Sequence, residues 1–264
     1  MKKFLASVQI GIADGLEYRF QLLYWLTINM VPIILMIALW SAIYAEKTIF
    51  GQYTLPMMIT YYVITKLFNR LTTTYSEERI AKDIKDGNLS QFLTRPINYA
   101  VLKFGERMGI RIVNAALYIP AYGLVFYLLR NTIVAPASAG ALGVITIILA
   151  INIFSHFLLA RILGSAAFFM LETRALFGLK ENIITLISGY MFPLFLFPEL
   201  LQKFLMLTPF PYYYYFPMQV YFGLLSKTEI LQGIAIQTFW MFALFFIGEA
   251  VWKKGLKKYE AVGA

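Results

Sequence analysis

The sequence predicts an all-α integral membrane protein, in which six transmembrane helices form a single domain over residues 1–264. Apolar residues make up 60% of the chain and charged residues 14%, and the mean hydropathy is +0.68, well outside the range of soluble proteins. Six apolar runs are each close to the ~20 residues that an α-helix needs to cross a bilayer. They lie at 22–44, 54–75, 108–130, 141–163, 183–206 and 232–252.

Residues 1–20, before the first run, predict an amphipathic interfacial helix in the headgroup plane. Apolar residues recur at every fourth position, and polar residues occupy other positions of the helix. Because polar residues interrupt any central apolar region and no small-residue cleavage site follows, a cleavable signal peptide is not expected. The apolar set is Phe4, Val8, Ile12, Leu16 and Phe20.

The second run is the least apolar, because Lys66, Asn69 and Arg70 fall in its later half. Spacings of three and four residues place these side chains on one helical face. Two interpretations are open. The side chains line a polar cavity that meets an anionic head group, or they extend to the membrane surface.

The fourth run is too long for an untilted span, because it continues past Arg161 to Leu171. We expect it to project beyond the bilayer or to break near Gly164. His156 and Arg161 are costly in lipid and should face protein or water. For His156, a structural hydrogen bond and a contact with a transported ligand both remain open.

The distribution of Lys and Arg predicts the orientation in the membrane. Fifteen of these residues fall on the side that holds both termini and the connection after the second run, and four fall on the other side. Because cytoplasmic connections are enriched in positive residues, both termini are expected in the cytoplasm. Membrane topology therefore explains the net charge of +9, and no nucleic-acid partner is expected.

The connection at 77–97 is a charged segment between two apolar runs, so it must lie in water beside the membrane. It predicts an amphipathic helix with Ile80 and Ile84 on one face and with Gly87 at its end. A second short element follows, and it ends before Pro96 because the residue preceding a proline disfavours the helical region. The apolar residues of that element are Leu89, Phe92 and Leu93.

The connection at 189–223 contains half of the chain's ten prolines. A straight helix cannot run through that spacing, yet the segment is too apolar for a solvated loop. A broken helix that dips back from the outer surface agrees with both facts, with the tyrosines at 212–215 in the interfacial aromatic belt. The segment is either an outer gate or a static plug. The residues concerned are Pro193, Pro198, Glu199, Pro209, Pro211 and Pro217.

Catalysis within this chain is not expected. With one histidine and no cysteine, the chain cannot build a His-pair or thiolate metal site. It has neither a GxxxxGK[ST] phosphate-binding loop nor a GxSxG nucleophile motif. No series of carboxylates for a proton relay lies in the spans, so the energy for any transport is expected from another polypeptide.

Two motifs resemble those of a known family. GNLSQFLTRPI at 87–97 is similar to the pattern of a bacterial permease subfamily of type-2, export-type ABC transporters. FPLFLFPELL and the following LTPFPYYYYFP, within 192–223, resemble the end pattern of that family. The order of the predicted elements also resembles the type V exporter-like transmembrane domain of its membrane subunits.

The resemblance implies the permease subunit of an ABC exporter in the prokaryotic inner membrane, without enzyme activity of its own. A separate cytoplasmic ATPase would bind ATP and Mg. A second membrane subunit, identical or related, would complete the path across the lipid bilayer. Residues 77–87 would be the coupling helix, and the loop 172–181 a second ATPase contact. The implied contact residues are Glu77, Glu78, Ile80, Lys82, Asp83, Ile84, Gly87, Leu89, Phe92, Arg95, Pro96, Glu172 and Arg174.

Other interpretations stay open at this point. The 77–97 segment could rest on lipid as an interfacial helix, with Arg95-Pro96 as a simple turn. The expected substrate is amphipathic or lipid-like, such as a drug, lipid or glycolipid. A non-transporting membrane scaffold and an ATP-independent carrier or channel are the alternative functions. The residues expected on a substrate path are Lys66, Asn69, Arg70, His156 and Arg161.

Overall fold

The computed structural model describes residues 2–17, 19–46, 49, 51–94 and 96–259. These residues form α-helices joined by turns and by short 3₁₀ segments at Ala166–Phe168, Leu194–Leu196 and Phe210–Tyr212. The predicted all-α class is confirmed. The helices are α1 Lys2–Glu17, α2 Arg19–Glu46, α3 Leu55–Thr72, α4 Ser76–Lys85, α5 Leu89–Leu93, α6 Tyr99–Leu128, α7 Ala139–Ser165, α8 Arg174–Ile187, α9 Glu199–Leu205, α10 Tyr215–Tyr221 and α11 Lys227–Leu256.

Three helices of the described chain are long and apolar enough to cross a membrane: α6, α7 with its 3₁₀ extension, and α11. They correspond to the third, fourth and sixth predicted runs. The first two runs lie in α2 and α3, where the described apolar stretch of α2 is Met30–Ala45. The structure therefore supports a membrane-embedded helical protein. Three of the six predicted spans lie in described helices that are long and apolar enough to cross a membrane.

The fifth predicted run, 183–206, is not one helix. α8 ends at Ile187, and Gly189 follows with a φ of 87°, a conformation that L side chains rarely adopt. Pro193 and Pro198 lie next, and α9 begins only after Pro198. A continuous span over 183–206 is therefore absent, whereas the interruption at Pro193 and Pro198 agrees with the broken helix predicted from the proline spacing of 189–223.

α1 packs along α6 through small residues on both helices. Ser7, Gly11 and Gly15 form its buried face, whereas Leu16 is 55% exposed. A Cβ atom on Gly109 of α6 would lie 2.1 Å from the Val8 carbonyl oxygen, so the two backbones are in direct contact. The predicted helix is present, but the face that packs on the protein is the row of small residues.

An aromatic core occupies the centre of the helix bundle. The tyrosines at 212–215 are at most 9% exposed, and Tyr61 and Tyr62 of α3 pack in the same cluster. Tyr61 donates a 2.5 Å hydrogen bond to the Gly189 carbonyl, and Tyr62 donates a 2.7 Å bond to the Met191 carbonyl. The prediction of an interfacial belt at 212–215 was wrong, because the chain folds back and buries these rings.

Side chains from the middle of the bundle hold the irregular backbone between α8 and α11. Asn152, at the midpoint of α7, donates to the carbonyls of Tyr212 and Tyr213, each at 3.1 Å. Gln237 of α11 donates to Asn152 Oδ1 at 2.7 Å. Non-helical backbone at membrane depth needs such partners because lipid offers none. This arrangement agrees with a segment that returns to the depth of the α7 midpoint.

Asn152→Ala should lower the free energy of unfolding by about 2 kcal/mol, because it leaves two buried carbonyls without their donor. Asn88→Ala is the matched control, since Asn88 is exposed and its side chain caps no helix. Thermal unfolding in detergent micelles compares the two variants. Equal melting temperatures for both would show that Asn152 does not hold the segment.

Candidate functional site

α4 lies within the predicted charged segment and has the expected amphipathic pattern. Glu77 and Glu78 are in its first turn and Lys85 in its last, an order that is favourable with the helix dipole. Gly87 follows with a φ of 75°, as predicted for the residue that ends this helix. The chain then continues into the short α5 and into α6.

The apolar face of α4 is buried within the chain itself. Ile80 and Ile84 are only 1% and 5% exposed. α4 crosses α7 so closely that a Cβ atom on Gly164 would lie 2.8 Å from Ile80 Cβ. Ile80, Ile84 and Leu89 therefore present no side chain to a partner, and the expectation that they contact one is corrected. The apolar cluster that encloses this face includes Leu89, Tyr99 and Trp252.

The end of α7 agrees with one of the two expectations for the fourth run. The α-helix stops at Ser165, directly after Gly164, and a 3₁₀ turn follows. The close approach of Ile80 explains why a glycine is needed at this position.

A buried ion pair connects α4 to α8. Lys180 donates to Glu77, and both residues are almost inaccessible, at 7% and 1% exposure. Lys180 also contacts Glu181 Oε1 at 2.8 Å. Burial raises the pKa of the Glu77 carboxyl above its ordinary value, while the nearby Lys180 ammonium acts in the opposite direction.

A second polar cluster connects α4 to α6. Lys103 Nζ lies 3.0 Å from Asp83 Oδ2 and 3.2 Å from Glu106 Oε2. The Tyr99 hydroxyl donates to the same Asp83 oxygen at 2.6 Å. Lys103 also lies 4.8 Å from the centre of the Phe92 ring of α5. These contacts fix both short helices against the start of α6.

A third ion pair connects α4 to α1, since Arg79 Nη1 donates to Asp14 Oδ2 at 2.8 Å. α4 is thus attached by charged side chains to α1, α6 and α8, and by its apolar face to α7. A displacement of α4 must therefore move the ends of these four helices together or break several buried contacts.

The opposite face of α4 is exposed and charged. Glu78, Lys82, Lys85 and Asp86 are exposed, and they line a cleft of about 440 Å³ together with the start of α8. Lys85 Nζ donates to Thr173 Oγ1 at 3.3 Å across this cleft. The wall formed by α8 and the preceding turn consists of Glu172, Thr173, Arg174 and Phe177.

The predicted 172–181 loop is mostly helical, because α8 begins at Arg174. Glu172 accepts a 2.8 Å hydrogen bond from the Arg174 backbone N–H and so caps the turn before the helix. Pro96 is exposed, and its carbonyl accepts a 2.6 Å bond from Lys3. Arg95 lies outside the described residues.

The polar and charged residues predicted for a substrate path do not share one site. Asn69 and Arg70 line a cavity of about 640 Å³, whereas Lys66 lines a separate cavity of about 130 Å³. Asn69 Nδ2 donates to the Tyr214 hydroxyl at 2.8 Å. Lys66 Nζ lies 3.8 Å from the centre of the Tyr190 ring.

His156 and Arg161 lie elsewhere. His156 is buried, and its ring stacks on Tyr213 with a 4.1 Å centroid distance. Arg161 forms a 2.6 Å ion pair with Glu249 of α11 and faces the Trp252 ring. The structure therefore gives Arg161 a partner within the chain, as expected for a charge in a span.

The residues predicted for the outer gate occupy different environments. Pro193, Pro211 and Pro217 are buried, Pro209 is half-buried, and Pro198 is exposed. Glu199 is exposed and forms an i,i+4 pair with Lys203 at 2.9 Å. Within the described residues, no three His, Asp or Glu side chains come together to hold a metal ion.

Sequence reasoning missed several charged residues of this region. Lys180, Lys103 and Glu106 take part in the buried clusters around α4, and Arg107 and Arg111 line the larger cavity. Their charge within otherwise apolar helices could have identified these residues as candidates. Their partners could not be identified in this way, because they lie far away in sequence. Lys180 and Glu77, for example, are 103 positions apart.

A family model with the description "ABC-2 family transporter protein" matches residues 30–263 of this chain. The match covers the described helices from α3 to α11 and therefore includes α4, its charged partners on α6 and α8, and both cavities, whereas Asp14 of α1 lies outside it. No curated protein matches the chain.

Proposed function

The chain belongs to the ABC-2 transporter family, and from this premise we propose that it is the permease subunit of an ATP-driven exporter. ATP and Mg are bound by a separate cytoplasmic ATPase subunit. The chain has no phosphate-binding loop of its own. Two membrane subunits, identical or related, enclose the substrate path. The termini and α4 face the cytoplasm, and the membrane is the prokaryotic inner membrane.

The observation that best supports coupling through α4 is the contrast between its two faces. The buried face is attached to four other helices, while Glu78, Lys82 and Lys85 face solvent across the cleft to α8. In our proposal the ATPase binds this exposed face. Closure of the ATPase subunits then displaces α4, and the ion pairs of α4 transmit the displacement to α1, α6 and α8.

The substrate in this proposal is amphipathic or lipid-like. Two features favour that chemistry: the aromatic core and the arginine-lined cavity next to Asn69. The irregular segment between α8 and α11 acts as the outer gate. It is suited to that role because it consists of short helices and turns, so it can move without unwinding a long helix.

Cross-linking tests this proposal in the natural cysteine-free background. A cysteine at the exposed Lys82 should cross-link to a co-expressed ATPase, with a yield that changes when ATP is added. The buried Ile84 is a poor position for the probe. Leu200, which is 82% exposed on α9, is the matched control and should give no ATPase cross-link.

The alternatives give different outcomes. Absence of a cross-link from Lys82 and from Arg174, with every neighbouring ATPase tested, would contradict the coupling role. Solute movement by the chain reconstituted alone would favour an ATP-independent carrier. The absence of both transport and complex formation would favour a membrane scaffold.

A further inference from the structure

The larger cavity, between α3, the start of α4 and α6, collects three guanidinium groups. Arg70 comes from α3, and Arg107 and Arg111 come from α6, around a volume of about 640 Å³. Glu78 is the carboxylate among the described lining residues, so the lining carries a net charge of +2. The other lining groups are mostly polar or hydroxyl-bearing, namely Asn69, Thr73, Thr74, Tyr75, Asn114 and Tyr118, beside Ile110.

None of the three arginines forms an ion pair within the part of the chain that the structure describes. The carboxylates of the neighbouring helices are already paired with other cations: Asp14 with Arg79, Glu106 with Lys103, and Glu77 with Lys180. Three positive charges around one cavity are unfavourable without an anion nearby. Glu77, Glu106 and Asp14 also attract the charge of Arg107 from outside the cavity, but the lining itself keeps more positive than negative charge.

The guanidinium groups are held in place but keep unused donors. Arg111 is 9% exposed and donates to the Thr72 carbonyl at 2.9 Å, and Arg107 donates to the Tyr75 carbonyl at 2.9 Å. Arg70 lies 5.5 Å from the centre of the Tyr118 ring. Each guanidinium has five N–H donors, so several remain for a ligand. The backbone bonds fix the orientation of Arg107 and Arg111 in advance.

The inaccessible amide oxygen of the half-buried Asn114 adds a second indication of a ligand. Asn114 Oδ1 is inaccessible and has no hydrogen-bond partner among the described residues, and Asn114 lines this cavity. A buried polar atom without a partner costs about 1–3 kcal/mol unless a ligand or water supplies one. A hydroxyl group beside an anion would satisfy it.

We propose that this cavity binds a phosphate-type oxyanion, carried by a lipid head group or by a soluble phosphate. Arginine suits this chemistry because its planar fork matches two oxygens of a phosphate. That the bound group is part of the transported molecule rests on the proposed function. Binding itself requires neither ATP nor an ATPase, so its failure is distinguishable from failure of the transport proposal.

The experiment uses the complete chain, purified in maltoside micelles, and measures dissociation constants by calorimetry. The probes are dihexanoyl-phosphatidylglycerol, inorganic phosphate, and dihexanoylglycerol, which lacks the phosphate. Arg70→Gln should weaken phosphate-dependent binding about tenfold or more, as expected for loss of one charge-assisted contact. Arg130→Gln, which changes an exposed arginine outside the cavity, should bind as the unmodified chain does.

The probes distinguish the two sources of the oxyanion. Binding of phosphatidylglycerol without binding of inorganic phosphate indicates a lipid head group. Binding of inorganic phosphate that is equally sensitive to Arg70→Gln indicates a soluble anion. The proposal is overturned if neither probe binds, if dihexanoylglycerol binds equally well, or if Arg70→Gln has no effect. Arg70 is the preferred variant because Arg111→Gln also removes the bond to the Thr72 carbonyl.

Discussion

Lys180→Met should destabilise the protein by about 3–5 kcal/mol, because it leaves the buried Glu77 carboxylate without its cation. Glu181 cannot replace the missing charge, since it is itself a carboxylate. The double variant Lys180→Met with Glu77→Gln should recover most of the loss, because no unpaired charge then remains. Lys203→Met removes an exposed pair and should change stability by less than about 0.5 kcal/mol.

The loss of folding stability in Lys180→Met should depend on pH. Burial already raises the pKa of the Glu77 carboxyl, and without the ammonium the pKa rises further. A carboxyl whose folded-state pKa is raised favours the fold most when it is protonated, and this stabilisation is lost as the pH rises through the folded-state pKa. Lys180→Met should therefore regain stability as the pH falls from neutral toward 4.5, the ordinary glutamate value. Thermal unfolding across this range should show no such gain in the double variant, and a gain of equal size there would contradict this account.

Gly109→Ala should cost about 3 kcal/mol or more, because its Cβ would lie 2.1 Å from the Val8 carbonyl oxygen. The Val8 carbonyl oxygen belongs to the backbone of α1, and the Cβ atom is bonded directly to the backbone of α6. A side-chain rotation therefore cannot relieve the clash. α1 would have to move away from α6, which would also strain the Asp14–Arg79 pair.

Gly123→Ala is a matched control on the same helix, since no atom beyond its own chain neighbours and helix backbone lies within 4 Å of the position of its Cβ. Alanine is the better helix former, so this variant should be neutral or slightly stabilising. The measurement is the melting temperature of each variant in the same detergent. If Gly109→Ala and Gly123→Ala have the same melting temperature, the close packing of α1 on α6 is refuted.

The local structure around α4 was predictable because local residues determine it. Charged residues flank Ile80 and Ile84, and Gly87 and Pro96 end the two short helices. The partner of the apolar face was not predictable. Amphipathic spacing shows that one face will be buried, but the same pattern fits lipid, an ATPase or, as the structure shows, the chain's own α7.

Two other features were only partly predictable. α1 has two rows with a period of four, and the row of Ser7, Gly11 and Gly15 packs on α6. The interfacial placement of α1, based on its row of large apolar residues, stays a prediction. The tyrosines at 212–215 suit a membrane interface or a core with hydrogen-bond acceptors. The second environment depends on carbonyls and side chains that are distant in sequence, such as Gly189 and Asn152.

The partners of the buried backbone between α8 and α11 also determine when this segment can become stable during biosynthesis. Tyr61, Tyr62 and Asn152, which bond to its carbonyls at depth, all precede it in the chain. Translation from the N terminus produces these three donors before the segment whose carbonyls they bond, so the donors are available when the segment is made. Gln237 of α11 is synthesised last, and it donates a hydrogen bond to the side-chain oxygen of Asn152. Synthesis from the N terminus thus allows the irregular segment to form these bonds before α11 is made.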